Sequence, residues 1–210
     1  MVRKSGTCAV MPDLPRHGYL GKMSLRGIAA YTAHPDPLTA ATCVTAFVIG
    51  ANGPFYPFYL YLSIGAAAAP SLLTMLASPL FLAIPLLARR HSRAGRMALP
   101  VLGTLNTIWC VKLLGMASGV ALFLLPCISL AALSFTADER RLSLAILALP
   151  FAFYFWQIYG QGVGAPLLTF TAAQNAALLL INAASVGTLT AFTGLLYAGK
   201  DVTKLNVTEQ

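Results

Sequence analysis

Apolar residues run almost unbroken from Pro37 to Ala88, about twice the roughly 20 residues that one bilayer crossing needs. That stretch predicts two helices, at about 38–62 and 71–88, joined by a turn around Ser63 to Pro70. The first contains Gly50, Asn52-Gly53-Pro54 and Pro57, which predict a kink or local unwinding near its middle. After the polar segment RRHSRAGR (89–96), further apolar runs predict helices at about 97–116, 119–136, 142–159 and 171–198. Gly115 to Gly119 reads as a tight turn, ADERR (137–141) as a polar loop, and GQGVGAPLLTF (160–170) as a glycine-rich connection. The expected fold is therefore an all-α polytopic membrane bundle of six transmembrane helices spanning 37–198. Residues 1–36 read as a flexible basic arm, with a possible short interfacial helix over 18–33, and 199–210 as a short tail.

Composition strengthens this reading. Only 10% of the 210 residues are charged and 58% are hydrophobic, whereas a soluble domain carries about 25% charged residues. The acids Asp13, Asp36, Asp138, Glu139, Asp201 and Glu209 all lie outside the apolar runs, and of the bases only Lys112 lies inside one. An ionised group at a bilayer centre costs at least about 2.5–3.5 kcal/mol, so a membrane demands this distribution.

The net charge of +8 then bears on orientation. With the arm inside, the basic residues of 1–36, 89–96, 137–141 and the tail all face the cytoplasm, leaving only Lys112 elsewhere. The positive-inside rule thus places both termini in the cytoplasm. No basic stripe interleaved with aromatics points to nucleic acid. The first 36 residues lack the apolar core of a signal peptide, so the first helix is expected to serve as its own insertion signal. Cys8, Cys43, Cys110 and Cys127 have no metal-ligand or redox spacing, and neither a disulfide framework nor a metal site is expected.

Candidate chemistry is sparse. Lys112, near the outer end of the third helix, either snorkels to the interface or offers a counter-charge to an anionic ligand or headgroup. On the predicted boundaries Asn52, Asn106 and Asn182 all fall near the midplane. An amide in hydrocarbon needs a partner, so they should point into the bundle, as interhelical glue or as the polar floor of a cavity. Tyr56, Trp109, Gln157, Tyr159 and Gln174 fall among the outer aromatics. They either belong to an interfacial belt or, with Lys112, line a mostly aromatic pocket open to the outside that suits a small amphiphile. Arg89, Arg90, Arg93 and Arg96 form a basic cluster that anchors topology or meets anionic lipid or an acidic partner. His17, His34 and His91 lie at or near the cytoplasm. With no catalytic dyad, carboxylate cluster or phosphate loop in the spans, neither enzymatic activity nor a cofactor is expected. The missing intramembrane carboxylates also argue against proton- or sodium-coupled transport.

From Asn52 to Arg141 the succession NGPFYP, a Pro-containing helix, RRHSRAGR, NT followed by Lys112, GMASG, LFLLP and ADERR resembles the N-terminal multi-helix membrane input modules of bacterial sensor kinases and nucleotide cyclases. The resemblance implies a sensory module of the bacterial inner membrane that binds a ligand and rearranges its helices. Those modules lead into a catalytic output, whereas about a dozen residues follow the sixth helix here, so a stand-alone relative acting through a signalling partner or another membrane protein is expected. The competing readings are an accessory subunit of a larger membrane complex and a small transporter, with lipids as partners in every case and oligomerisation open. The topology has a direct check. In a cysteine-free background, His91→Cys should react with an impermeant maleimide only after the membrane is opened, while Ala165→Cys should react in intact cells. The reverse pattern would invert the model.

Overall fold

The structure is a computed structural model that describes residues 19–205, with side chains from 25 to 198. Among these residues it is helical, with no strand. Helix α1 (Tyr19–Thr32) falls within the stretch 18–33. It stands as a unit of its own, apart from the unit that begins at Thr32. The arm before Tyr19 and the last five residues lie outside the described residues.

The second unit contains α2 (Pro37–Asn52), α3 (Phe55–Ile64), a 3-10 segment (Gly65–Ala77), α4 (Ser78–Arg90) and α5 (Ser92–Leu114). It continues through 3-10 turns at Met116–Ser118 and Val120–Phe123 to α6 (Leu124–Leu133), a 3-10 turn at Ala137–Glu139, α7 (Arg140–Tyr159) and α8 (Ala172–Leu205). Four helical stretches are long and apolar enough to cross a membrane: Phe55–Arg90, Ser92–Leu114, Ala137–Tyr159 and Ala172–Ala198. Pro37–Asn52 and Val120–Leu133 are shorter apolar helices.

Phe55–Arg90 is helical along its whole length but doubles back. Gly53 abuts Ser78, so the chain leaves that point and returns to it, and the midpoint of the excursion is Gly65. Gly65 has φ 67° and ψ −147°, a conformation that glycine supplies at little cost. The first leg is thus α2 with α3, and the second is the 3-10 segment with α4. Contacts of Thr39 with Ser92, Gly50 with Leu82 and Gly53 with Ser78 make the two antiparallel. A side chain at Gly53 would place its Cβ 1.7 Å from Ser78 Oγ, so glycine lets the interrupted first leg meet its neighbour closely.

The remaining legs follow from the same kind of pairing. Gly95 lies against Ala88, and Trp109 Nε1 donates to the Leu73 carbonyl at 3.1 Å, so α5 runs antiparallel to the second leg. Arg96 reaches the Ser134 carbonyl and Gly103 meets Cys127, which sets α6 antiparallel to α5. Ser143 donates to the Ala131 carbonyl where α7 starts back. In α8, Asn182 sits by Ser118 and Tyr197 by Ser134, so it runs parallel to the fourth leg. The second unit therefore has six legs between a basic end and a glycine-rich end. Five of them, all but α7, close a ring in the order α2, α4, α5, α6, α8, and α7 packs outside against α6 and α5.

Several predicted boundaries shift. RRHSRAGR is not a loop: only His91 separates α4 from α5. The expected tail begins inside α8, which runs to Leu205 because no proline stops it. Pro54 caps α3, Pro79 lies in the first turn of α4 and Pro126 in that of α6. A missing N–H leaves nothing unsatisfied in a first turn, so these prolines start helices rather than kink them. Pro150 does lie inside α7.

Arg96 organises the basic end. Its side chain is 9% exposed, and Nη1 and Nη2 donate to Glu139 at 2.6 and 3.0 Å. Nη1 also donates to the Ser134 carbonyl at 2.9 Å, Nε faces Asp36 Oδ2 at 3.7 Å, and the guanidinium lies 5.7 Å from the centre of the Phe135 ring. One buried cation thus binds the start of α2, the end of α6 and the turn before α7. Burial pushes the Asp36 carboxyl up, but hydrogen bonds from Thr39 and the charge of Arg96 outweigh it, and its pKa falls below the ordinary 3.8. A carboxylate depressed on folding contributes stability above its ordinary range, and that stability is lost as pH falls below it. Removing one partner of a buried pair leaves the other charge uncompensated. Arg96→Ala should therefore lower stability by about 3–5 kcal/mol in detergent-based unfolding. Arg93→Ala, which removes an exposed partner of Glu139, should cost about 1 kcal/mol or less. Equal effects would remove Arg96 from its central place.

Candidate functional site

The five-legged ring surrounds a cavity of about 500 Å³. Apolar clusters close it at either end. Towards the glycine end, Leu60, Val111, Leu114, Val120 and Leu178 pack together. Towards the basic end, Phe81, Ile84, Leu99, Leu130 and Tyr197 do so. Every leg of the ring contributes to the lining, and α7 contributes nothing. Among the described residues no charged side chain lines it.

A polar belt crosses the wall between these clusters. Gly53 against Ser78 fixes one level, and the pairings of Gly95 with Ala88 and Trp109 with Leu73 put Asn106 at that level. The bonds Tyr56–Asn182 and Thr42–Tyr197 put Asn52 level with Val186, beside Ser185. Asn52, Ser78, Asn106, Thr107, Ser185 and Thr188 thus form a band of amides and hydroxyls in an otherwise apolar wall.

The exposed members of the lining, Val48, Asn52, Tyr59, Ala184 and Thr188, all belong to the first leg and to α8. The cavity therefore opens along the seam between those two elements. Two hydrogen-bonded bridges cross the seam on either side of the mouth. Above it, the Tyr56 hydroxyl donates to Asn182 Oδ1 at 2.8 Å. Below it, Thr42 and Tyr197 hydroxyls meet at 2.9 Å. Thr42 spends its proton on the Leu38 carbonyl, which leaves Tyr197 to donate to Thr42 and to accept from Ser134 at 3.1 Å. Fourteen residues separate Thr42 from Tyr56, so the window between the bridges is about 20 Å tall.

The nine residues expected to bind a ligand divide between this cavity and the glycine end. Asn52, Tyr56 and Asn106 line the cavity. Asn182 is fully buried just behind it, with Nδ2 donating to the Ser118 carbonyl at 2.8 Å. It ties the Gly115–Gly119 turn to the seam instead of joining the other two asparagines in one floor. The remaining five do not line the cavity. Trp109 pins α5 to the 3-10 segment. Lys112 neither snorkels freely nor faces the cavity: its Nζ donates to the carbonyls of Val163 and Ala165 at 3.1 and 2.8 Å. Gln157 accepts from the Val163 N–H at 3.0 Å, so these two side chains hold the 160–170 connection in place. The N–H groups of Leu167 and Leu168 complete that dock by donating to the carbonyls of Lys112 and Leu113. Gln174 accepts from the Thr171 N–H at the start of α8, and Tyr159 is 83% exposed, stacked on Phe155. These five thus stand apart from the cavity lining, and Lys112 is taken up by the 160–170 connection.

The basic cluster also divides. Arg90 and Arg93 are exposed and Arg89 lies beside them, but Arg96 is turned inward to Glu139 and Asp36 rather than to lipid or a partner. Ser78, Thr107, Ser185 and Thr188 were missed as lining residues. Their signal in the sequence is a small polar residue near the middle of each of several apolar runs.

Compared with known protein families, curated proteins and solved structures, the chain matches none. The geometry of the seam yields its own check. Asn182→Leu removes the acceptor for Tyr56 and the donor for Ser118, leaving two buried polar groups unpaired at about 1–3 kcal/mol each. Tyr56→Phe should cost clearly less, because it leaves Asn182 bound to Ser118. Unfolding titrations of the two variants compare these losses, and equal losses would deny Asn182 its double role.

Proposed function

We propose that this protein is a receptor-like membrane module that binds a small molecule in the cavity enclosed by five of its six legs, the molecule entering sideways from the bilayer. The observation that carries the reading is a roomy cavity enclosed by five legs with its mouth on the flank of the bundle. Packed interiors contain few voids larger than a water molecule, and a cavity of about 500 Å³ falls in the range of small-molecule sites.

On this reading each leg crosses the membrane, including the first and the fourth, whose regular helices are short. The first combines α2 and α3, 26 residues of helix and about 39 Å at 1.5 Å per residue, more than the roughly 30 Å hydrocarbon core. The exposed arginines Arg90 and Arg93 support a cytoplasmic basic end, and with it a cytoplasmic start of the first leg and end of α8. The resemblance to input modules of bacterial kinases and cyclases supports a bacterial inner membrane and a sensory role, with signalling passed through another protein.

The test is the molecule itself. Protein extracted gently from native membranes and examined by native mass spectrometry should carry a small molecule at close to one per chain. A cavity-filled variant, Ser185→Phe with Thr188→Phe, should lose it while keeping its fold. An identical lipid complement on both proteins would refute the binding module. Recovery in fixed ratio with other membrane proteins, and no small molecule, would favour an accessory subunit.

A further inference from the structure

The polar belt specifies what the cavity accepts. Thr107 donates its proton to the Gly103 carbonyl and Thr188 to that of Ala184, so neither hydroxyl has a donor left for a guest. The two asparagines differ. The Asn52 amide meets no hydrogen-bond partner among the described residues. Asn106 has only a distant thiol contact to its oxygen, from Cys110 at 3.9 Å, and its N–H groups meet no acceptor among the described residues. Two primary amides therefore bring unspent N–H donors to one level of an apolar cavity. Each such group left unpaired away from water costs free energy, and a guest that supplies an acceptor recovers it.

The charge balance restricts that acceptor. An ionised guest would need a counter-charge in this low-dielectric setting. No described lining residue is charged, and Lys112 is committed to the carbonyls of Val163 and Ala165. The belt also crosses the middle of the cavity, with Phe81, Leu99 and Leu130 on one side and Val120 and Phe123 on the other. The oxygen of the guest must then sit within an apolar body and not at the end of a polar head.

Resting on the binding reading above, we infer that the cavity selects an uncharged, lipid-soluble molecule carrying an internal carbonyl-type oxygen, received by the amide N–H groups of Asn52 and Asn106. Ketones and esters belong to this class. Fatty acids and quaternary amines do not.

The experiment uses the full-length protein in nanodiscs and a neutral photoreactive ketone, 4-hexylbenzophenone, with labelled residues mapped by mass spectrometry. Four competitors with twelve-carbon chains are compared: 6-dodecanone, dodecane, dodecanoate and dodecyltrimethylammonium. Labelling should fall on cavity residues. 6-Dodecanone should compete at least about tenfold better than dodecane, and the two ions should compete worst. Asn52→Leu with Asn106→Leu should abolish the advantage of the ketone while dodecane still competes, which also shows that the variant is folded. Equal competition by ketone and dodecane in the wild type, or strong competition by either ion, would overturn the inference while leaving a binding cavity in place. Labelling that avoids the cavity altogether would overturn both.

Discussion

One buried guanidinium holds the basic end together. Arg96 is nearly sequestered, and it would be a severe liability there without Glu139, Asp36, the Ser134 carbonyl and the Phe135 ring around it. These partners come from the start of α2 and from the connection between α6 and α7, so movement of α5 against either disturbs the same charge. The ring of helices inherits its register at one end from this cluster. At the other end the acceptors are neutral backbone carbonyls: Asn182 donates to that of Ser118, and Lys112 to those of Val163 and Ala165. A charged clamp at one end and an amide-and-carbonyl clamp at the other leave the middle free to remain unfilled.

That middle runs against the usual economy of a helical interior. Where small residues allow close approach, as Gly53 does against Ser78, the legs meet tightly. At the same level, two amides keep donors unspent in an apolar wall. Stability alone would favour apolar side chains there, since replacing buried polar groups by apolar ones of similar shape is often neutral or stabilising. Retained polarity beside empty volume is the signature of a site, and the proposed function follows from that conjunction.

Much of the fold was legible in the sequence because long apolar runs punctuated by Gly, Pro and Arg leave few alternatives. The return at Gly65, the interruption at Asn52-Gly53-Pro54 and the turn at Gly115–Gly119 all fall where those residues predict them. The fate of individual polar residues was less legible. Arg89, Arg90, Arg93 and Arg96 look alike in sequence, and only the approach of Asp36 and of the α6–α7 connection turns Arg96 inward. The spacing Thr136-x-x-Glu139 did carry a signal, since it is a capping box that the structure forms. The partners of Lys112 were not legible because they are backbone carbonyls, which side-chain patterns do not reveal. The helix pairings bring Asn52 and Asn106 to one level, whereas Asn182 is held by the Gly115–Gly119 turn, through the buried Ser118, a tertiary contact that sequence spacing does not reveal.

The seam that carries the mouth joins the first leg of the ring to the last. During synthesis the other legs can pair with neighbours already made, but the wall supplied by α8 arrives only after everything from α2 to α7 has been made. Until then the cavity is an open trough facing lipid, with Asn52 and Asn106 exposed along it. The compartment is therefore a late product of assembly. Its completion depends on two hydroxyl contacts between segments made early and late, Tyr56 to Asn182 and Tyr197 to Thr42.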